Sequence, residues 1–141
     1  MAEARGPGGA PLCVDQARVT VAAYEECVGR GLCSARPAGG GCLRDDLTTQ
    51  QLPVNCVDVG QADAFCKAQR KRLPSREELQ ALPLQPNEGL RWGSDQEWTS
   101  TRRQPTQALA VSFQPQMRSF FAESLLPPET QRADLGFRCI R

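Results

Sequence analysis

Apolar and polar positions along the chain fall into short, separate patterns. Residues 12–20, LCVDQARVT, alternate well enough to predict a strand. Thr20 then stands where a helix cap belongs, and Val21, Tyr24 and Val28 share one helical face with Cys27 beside it. Gly29 and Gly31 close that helix, and the Gly-rich, polar residues 34–51 read as a loop. Leu52 to Val57 form a short extended segment. Asp58 with Gln61 makes a capping box, and Ala62, Phe65, Cys66 and Gln69 continue at helical spacing to about Arg70. Leu73-Pro74 breaks the chain, and Ser75 with Glu78 makes a second capping box. Pro83 and Pro86 stop that helix near Leu82. Beyond residue 90, Glu97 to Ser100, Ala108 to Phe113 and Leu135 to Ile140 are β-type runs, with a Pro-containing loop over 123–135. The expected organisation is a flexible leader over 1–11 and one α+β domain over 12–141, its helices packed on an antiparallel sheet.

Composition narrows the function classes. With 141 residues, 40% hydrophobic and 23% charged, the chain fits one globular domain. No apolar run reaches the ~18 residues of a membrane span, so no membrane insertion by this segment is expected. A net charge of +1 offers no electrostatic footprint for nucleic acid. Histidine is absent, which removes Ser-His-Asp and Cys-His pairs and histidine-ligated metals.

The seven cysteines are Cys13, Cys27, Cys33, Cys42, Cys56, Cys66 and Cys139. None forms a C-x-x-C pair, so a zinc ribbon is disfavoured. The spacing reads as a disulfide framework and an extracytoplasmic location, with any signal or anchor outside this stretch. The alternative is a set of reduced thiols packed as small hydrophobes. An odd count leaves at least one thiol free or paired between chains. Asp45-Asp46 with Asp15 or Asp58 has the residue types of a calcium site, but Asp58 is better explained as a helix cap and Asp45-Asp46 as a solvated loop. Arg70-Lys71-Arg72 is a short basic run. Glu25-Glu26 and Glu77-Glu78 read as exposed helix faces.

The stretch Pro53-Val54-Asn55-Cys56-Val57-Asp58, then Ala62, Ala64-Phe65-Cys66 and Lys71-Arg72-Leu73-Pro74-Ser75-Arg76-Glu77-Glu78-Leu79, resembles the formylglycine-generating-enzyme family, also called the sulfatase-modifying-factor domain. Val19-Thr20 with Tyr24, Glu97-Trp98-Thr99-Ser100 and Gly136-Phe137-Arg138 are similar to three further family elements, in the same order. The cysteine-rich subgroup, familiar as secreted or kinase-linked myxobacterial domains, looks nearest. The resemblance implies a C-type-lectin-like fold, a twisted antiparallel sheet with two flanking helices. The sequence departs from the pattern at Arg18, in place of a glutamate, and at Val59 and Leu79, in place of tryptophans. Arg70 stands where the family has a glycine.

Catalytic members of the family bind copper through two late cysteines, and here the late cysteine is Cys139 alone. Related iron-dependent sulfoxide synthases need histidines. The resemblance therefore implies a non-catalytic binding domain with no catalytic residue, cofactor or metal site, recognising a protein or glycan through its loop-rich face. A divergent copper-dependent oxidase and the ectodomain of a kinase-linked receptor are the alternatives. Trp92, Phe120 and Phe121 are the candidate binding residues, on loops around Trp92 and residues 114–134. The A-Y-C and G-F-R-C cysteines are bonded in several family members, which implies a Cys66–Cys139 disulfide. Cys66 on the core face of its helix and Cys139 sharing a strand face with Phe137 fit that pairing. Strand adjacency and loop closure lead to Cys13–Cys56 and Cys33–Cys42 as the expected remaining pairs.

Overall fold

The computed structural model describes residues 2–82, 96–113 and 121–141. Its elements run β1 (Ala2–Arg5), a 3-10 turn (Pro7–Gly9), β2 (Pro11–Val14), α1 (Val21–Gly29), α2 (Val59–Ala68), α3 (Arg76–Ala81), β3 (Gln96–Arg102), β4 (Ala108–Phe113), β5 (Phe121–Leu126) and β6 (Leu135–Gly136). The class is α+β. β1 and β2 form an antiparallel pair, and the main sheet has the order β5-β4-β3-β6.

The period-two rule places the core on both faces of this sheet. Ala108 and Ala110 of β4 face one apolar cluster with Val21, Tyr24, Phe65, Leu73, Trp98 and Phe137. Leu109 and Val111 face a second cluster with Ala4, Leu12, Val14, Leu79, Leu82 and Ile140. α1 and α2 cover the first face. α3 and the β1–β2 hairpin cover the second.

The helices start where side chains satisfy their first amide groups. Thr20 accepts from the amide of Ala23. Asp58 and Gln61 bond reciprocally at 2.7 and 2.9 Å, and Ser75 and Glu78 do the same at 2.8 and 3.1 Å. α1 ends in a Schellman motif: Gly31 takes φ 76°, its amide bonds Val28 O, and the amide of Leu32 bonds Cys27 O. α2 ends the same way through Arg70, whose φ of 59° is a glycine-like value, with the Lys71 amide on Cys66 O.

Several expectations need correction. Residues 1–11 are not a loose leader, because β1 pairs with β2 along its whole length and buries Ala4 against the second cluster. The first strand stops at Val14, since Asp15 and Val19 turn their amides to the carbonyls of Cys139 and Phe137. The loop expected over 123–135 begins inside β5, which runs to Leu126 and pairs with β4 from Ala108↔Leu126 to Phe113↔Phe121. The sheet is mixed: β6 runs parallel to β3. It is also only two residues long, because the chain beyond it bonds to segment 15–19 and to Arg72 instead. The short helix expected from the Ser75–Glu78 capping box forms as α3, so three helices rather than two pack on the sheet.

The disulfides are Cys27–Cys33, Cys42–Cys56 and Cys66–Cys139. Neither Cys33–Cys42 nor Cys13–Cys56 forms. The Schellman turn folds residue 33 back over α1, and the Cys33 amide itself reaches Cys27 O. Cys13 lies inside the hairpin opposite Glu3, exchanges both backbone hydrogen bonds with Arg141, and remains a half-buried free thiol.

Candidate functional site

Residues 34–51 carry no helix or strand. Their backbone makes local turn bonds, such as the Cys42 amide to Gly39 O and the Gln50 amide to Asp46 O, and their remaining polar groups need other partners. Asn55 supplies two of them and ties the loop to residue 133. Its amide nitrogen donates to Gly41 O and Ala133 O, both at 3.0 Å, and its side-chain oxygen accepts from the Leu43 amide at 2.9 Å. These bonds bracket Cys42 and set it beside Cys56. Arg36 spans the same loop: it donates to Glu25 at 2.9 Å, to Asn55 O at 3.1 Å and to Leu43 O at 2.7 Å. Tyr24 donates to Ser34 O at 2.7 Å, and Gln61 to Ser34 Oγ and Ala35 O. Burial, above all, raises the Tyr24 phenol above its ordinary pKa.

At the tip, Asp46 accepts from the side chain and amide of Thr48 and from Thr49. These bonds, the Thr48 hydroxyl foremost, hold its carboxyl below its ordinary value. Within this fixed loop Leu47 is 91% exposed and Leu52 44%. Beneath Leu52 lies a hollow of about 190 Å³ bounded by Leu43, Asn55 and Ala133. The arrangement presents apolar side chains on a backbone already ordered, which lowers the entropy lost on binding.

Of the expected binding residues, Trp92 and Phe120 lie outside the described residues. Phe121 opens β5, with its backbone opposite Phe113. The expected segment 114–134 is described from 121 onward, and its last part joins the stapled loop. Ala133 O is bound by Asn55, Gln131 donates to Gln61 at 2.8 Å, and the Cys56 amide bonds Arg132 O. The two stretches thus form one composite surface. Sequence reasoning missed Leu47 and Leu52. The available signal was Leu47 standing alone among Arg44, Asp45, Asp46, Thr48 and Thr49, where no core pattern accounts for it.

The other charged candidates are engaged within the fold. Asp15 pairs with Lys71 at 2.7 Å and accepts from the Cys139 amide at 3.0 Å. Arg72 donates both guanidinium arms to Glu78 at 2.7 and 2.8 Å. That contact lowers the Glu78 pKa and raises that of Arg72. Arg138 and Glu97 form a buried two-bond pair at 2.7 and 3.0 Å between the last segment and β3. Trp98, fully buried, donates to Val57 O at 2.8 Å. Six cysteines are in disulfides, and Cys13 is the seventh.

A family model for the sulfatase-modifying factor enzyme 1-like domain matches residues 9–125. No curated protein matches the chain.

Proposed function

The chain belongs to the sulfatase-modifying factor enzyme 1-like family, and from that premise we propose that it is a non-catalytic, disulfide-stapled binding domain acting outside the cytoplasm. The finer fold we assign is C-type-lectin-like, in the cysteine-rich subgroup. Its partner is a protein or a glycan. The contact surface is the loop-rich face: the stapled loop with Leu47 and Leu52, and the stretches carrying Trp92, Phe120 and Phe121.

The observation that carries this reading is the state of the cysteines. Copper(I) chemistry of the kind catalytic relatives perform needs two soft ligands presented together. Cys66 and Cys139 are bonded to each other across the core, and the remaining thiol, Cys13, stands in the hairpin on the other face. The three disulfides also support an oxidising compartment.

The test is incubation of the purified protein with copper(I) and a cysteine-containing peptide under oxygen. The expected result is loss of peptide thiol at the rate of the protein-free blank. Catalytic thiol oxidation with stoichiometric bound copper would overturn the reading in favour of an oxidase.

A further inference from the structure

The main sheet ends on β5, and among the described residues no strand pairs with its far side. β5 runs in unbroken register with β4 from Phe121 to Leu126, with neither a proline nor a bulge. Open edges are commonly blunted by such features or by a charge that turns other strands away. The charge here is Glu123, and Arg76 at the start of α3 holds its carboxylate in an ion pair. Leu125, two residues on and therefore on the same face, is 47% exposed.

The bonding of β4 shows which backbone groups of β5 point outward. Leu109 turns its carbonyl to β3, where the Thr99 hydroxyl donates to it at 2.8 Å. Backbone direction alternates along a strand, so Ala108, Ala110 and Ser112 turn theirs to β5. Their partners Leu126, Ser124 and Ala122 face β4 in return. The amides and carbonyls of Glu123 and Leu125 therefore point away from β4, into the open edge.

Outward strand groups of this kind are met by another extended strand, and β5 can meet a copy of itself. An antiparallel copy centred on Ser124 sets Glu123 opposite Leu125 of the second copy, and Leu126 opposite its Ala122. Each Glu123–Leu125 pair then exchanges two backbone bonds, about four in all by symmetry, and no like charges face one another. Centring the pair on Glu123 would set two carboxylates directly opposite. Centring it on Leu125 would set Glu123 against Pro127, which has no amide to give.

We propose that a second copy of this chain adds to the sheet through β5, giving a two-fold dimer whose sheet continues across the axis at Ser124. The contact uses the backbone of residues 123–125 rather than Leu47 or Leu52, so it stands independently of the loop-rich face.

Sedimentation equilibrium over a concentration series, combined with crosslinking at the axis, tests the proposal. The protein should show a reversible monomer–dimer equilibrium. Leu125→Pro deletes an outward amide without touching the bonds to β4, and should weaken the dimer at least about tenfold, since half of the axis bonds are lost. Leu47→Asp should leave the equilibrium unchanged. A second readout does not depend on the folding of the proline variant. In a Cys13→Ser background, Ser124→Cys should form a disulfide-linked dimer on mild oxidation, because facing residues of a non-hydrogen-bonded pair lie about 4.5 Å apart at Cα, within disulfide reach. Leu125→Cys, about 7–8 Å from its own copy on the diagonal, should crosslink about tenfold less. A monomer at every concentration would overturn the proposal, including one that takes up an extended peptide of another protein at this edge. Crosslinking through Leu125→Cys or Glu123→Cys in place of Ser124→Cys would overturn it as well.

Discussion

The stretch from Gly31 to Val57 and the sheet β3–β5 are held by different means. In the sheet, β4 finds partners on both sides, and its alternate residues are buried on both faces. Backbone satisfies backbone, and no disulfide joins one of these strands to another. In the loop region there is no ladder. Carbonyls of Ser34, Ala35, Gly41, Leu43 and Asn55 are each met by a particular side chain, and two disulfides close what remains. Irregular backbone ordered in this way is costly to build, and a chain that retains it gains a fixed exposed surface. The cysteines belong to that scaffold in this account.

The comparison breaks most sharply at the bond that ties helix to terminal segment. Cys66→Ser with Cys139→Ser opens a 73-residue separation, which should lower stability by about 4 kcal/mol in the chain-entropy model. Urea denaturation with both variants monitored at Trp98 and Trp92 measures it. Asn55→Ala comes next. It leaves the Leu43 amide and the carbonyls of Gly41 and Ala133 without partners, at about 2–3 kcal/mol. The sheet counterpart is Thr99→Val, which removes the bond to Leu109 O and the longer one from the Thr101 amide and should cost about 1–2 kcal/mol. A loop that is merely carried by the sheet would show the two variants equal.

Much of the first half was readable because its signals are local. Both capping boxes span three residues, and Gly31 marks the end of α1 from the residue type alone. The disulfides of the loop were not readable, since Cys42 reaches Cys56 through Asn55, whose bonds to Gly41 and Ala133 join residues far apart in sequence. β5 was missed because Glu123 and Leu125 are exposed edge positions without a clean alternation, and pairing with β4 makes it a strand. β1 was missed because its four residues, Ala-Glu-Ala-Arg, gain their strand character only from β2. Of the binding surface, the loop boundaries were legible, but the outward presentation of Leu47 and Leu52 depends on tertiary packing.

Two smaller effects sharpen the contrast between local and long-range control. Arg70 holds φ 59° at the end of α2, where a side chain costs about 1 kcal/mol relative to glycine. Arg70→Gly should therefore raise the urea midpoint by a fraction of a molar, with the rest of the unfolding curve unchanged. Glu78 has its folded pKa lowered, first by the Arg72 hydrogen bond, from an ordinary 4.5. Its contribution is therefore present above that value and fades as pH falls through the depressed one. Glu78→Gln should flatten the acid limb of stability below about pH 4.5, by less than about 1 kcal/mol because Arg72 is half exposed.

The central claim is that the cysteines are structural staples. Alkylation of the folded, unreduced protein, followed by peptide mass mapping, tests it most directly. The account predicts one label per chain, on Cys13, with Cys27–Cys33, Cys42–Cys56 and Cys66–Cys139 recovered as bonded peptides. Labels on Cys66 and Cys139, or on all seven cysteines, would contradict it.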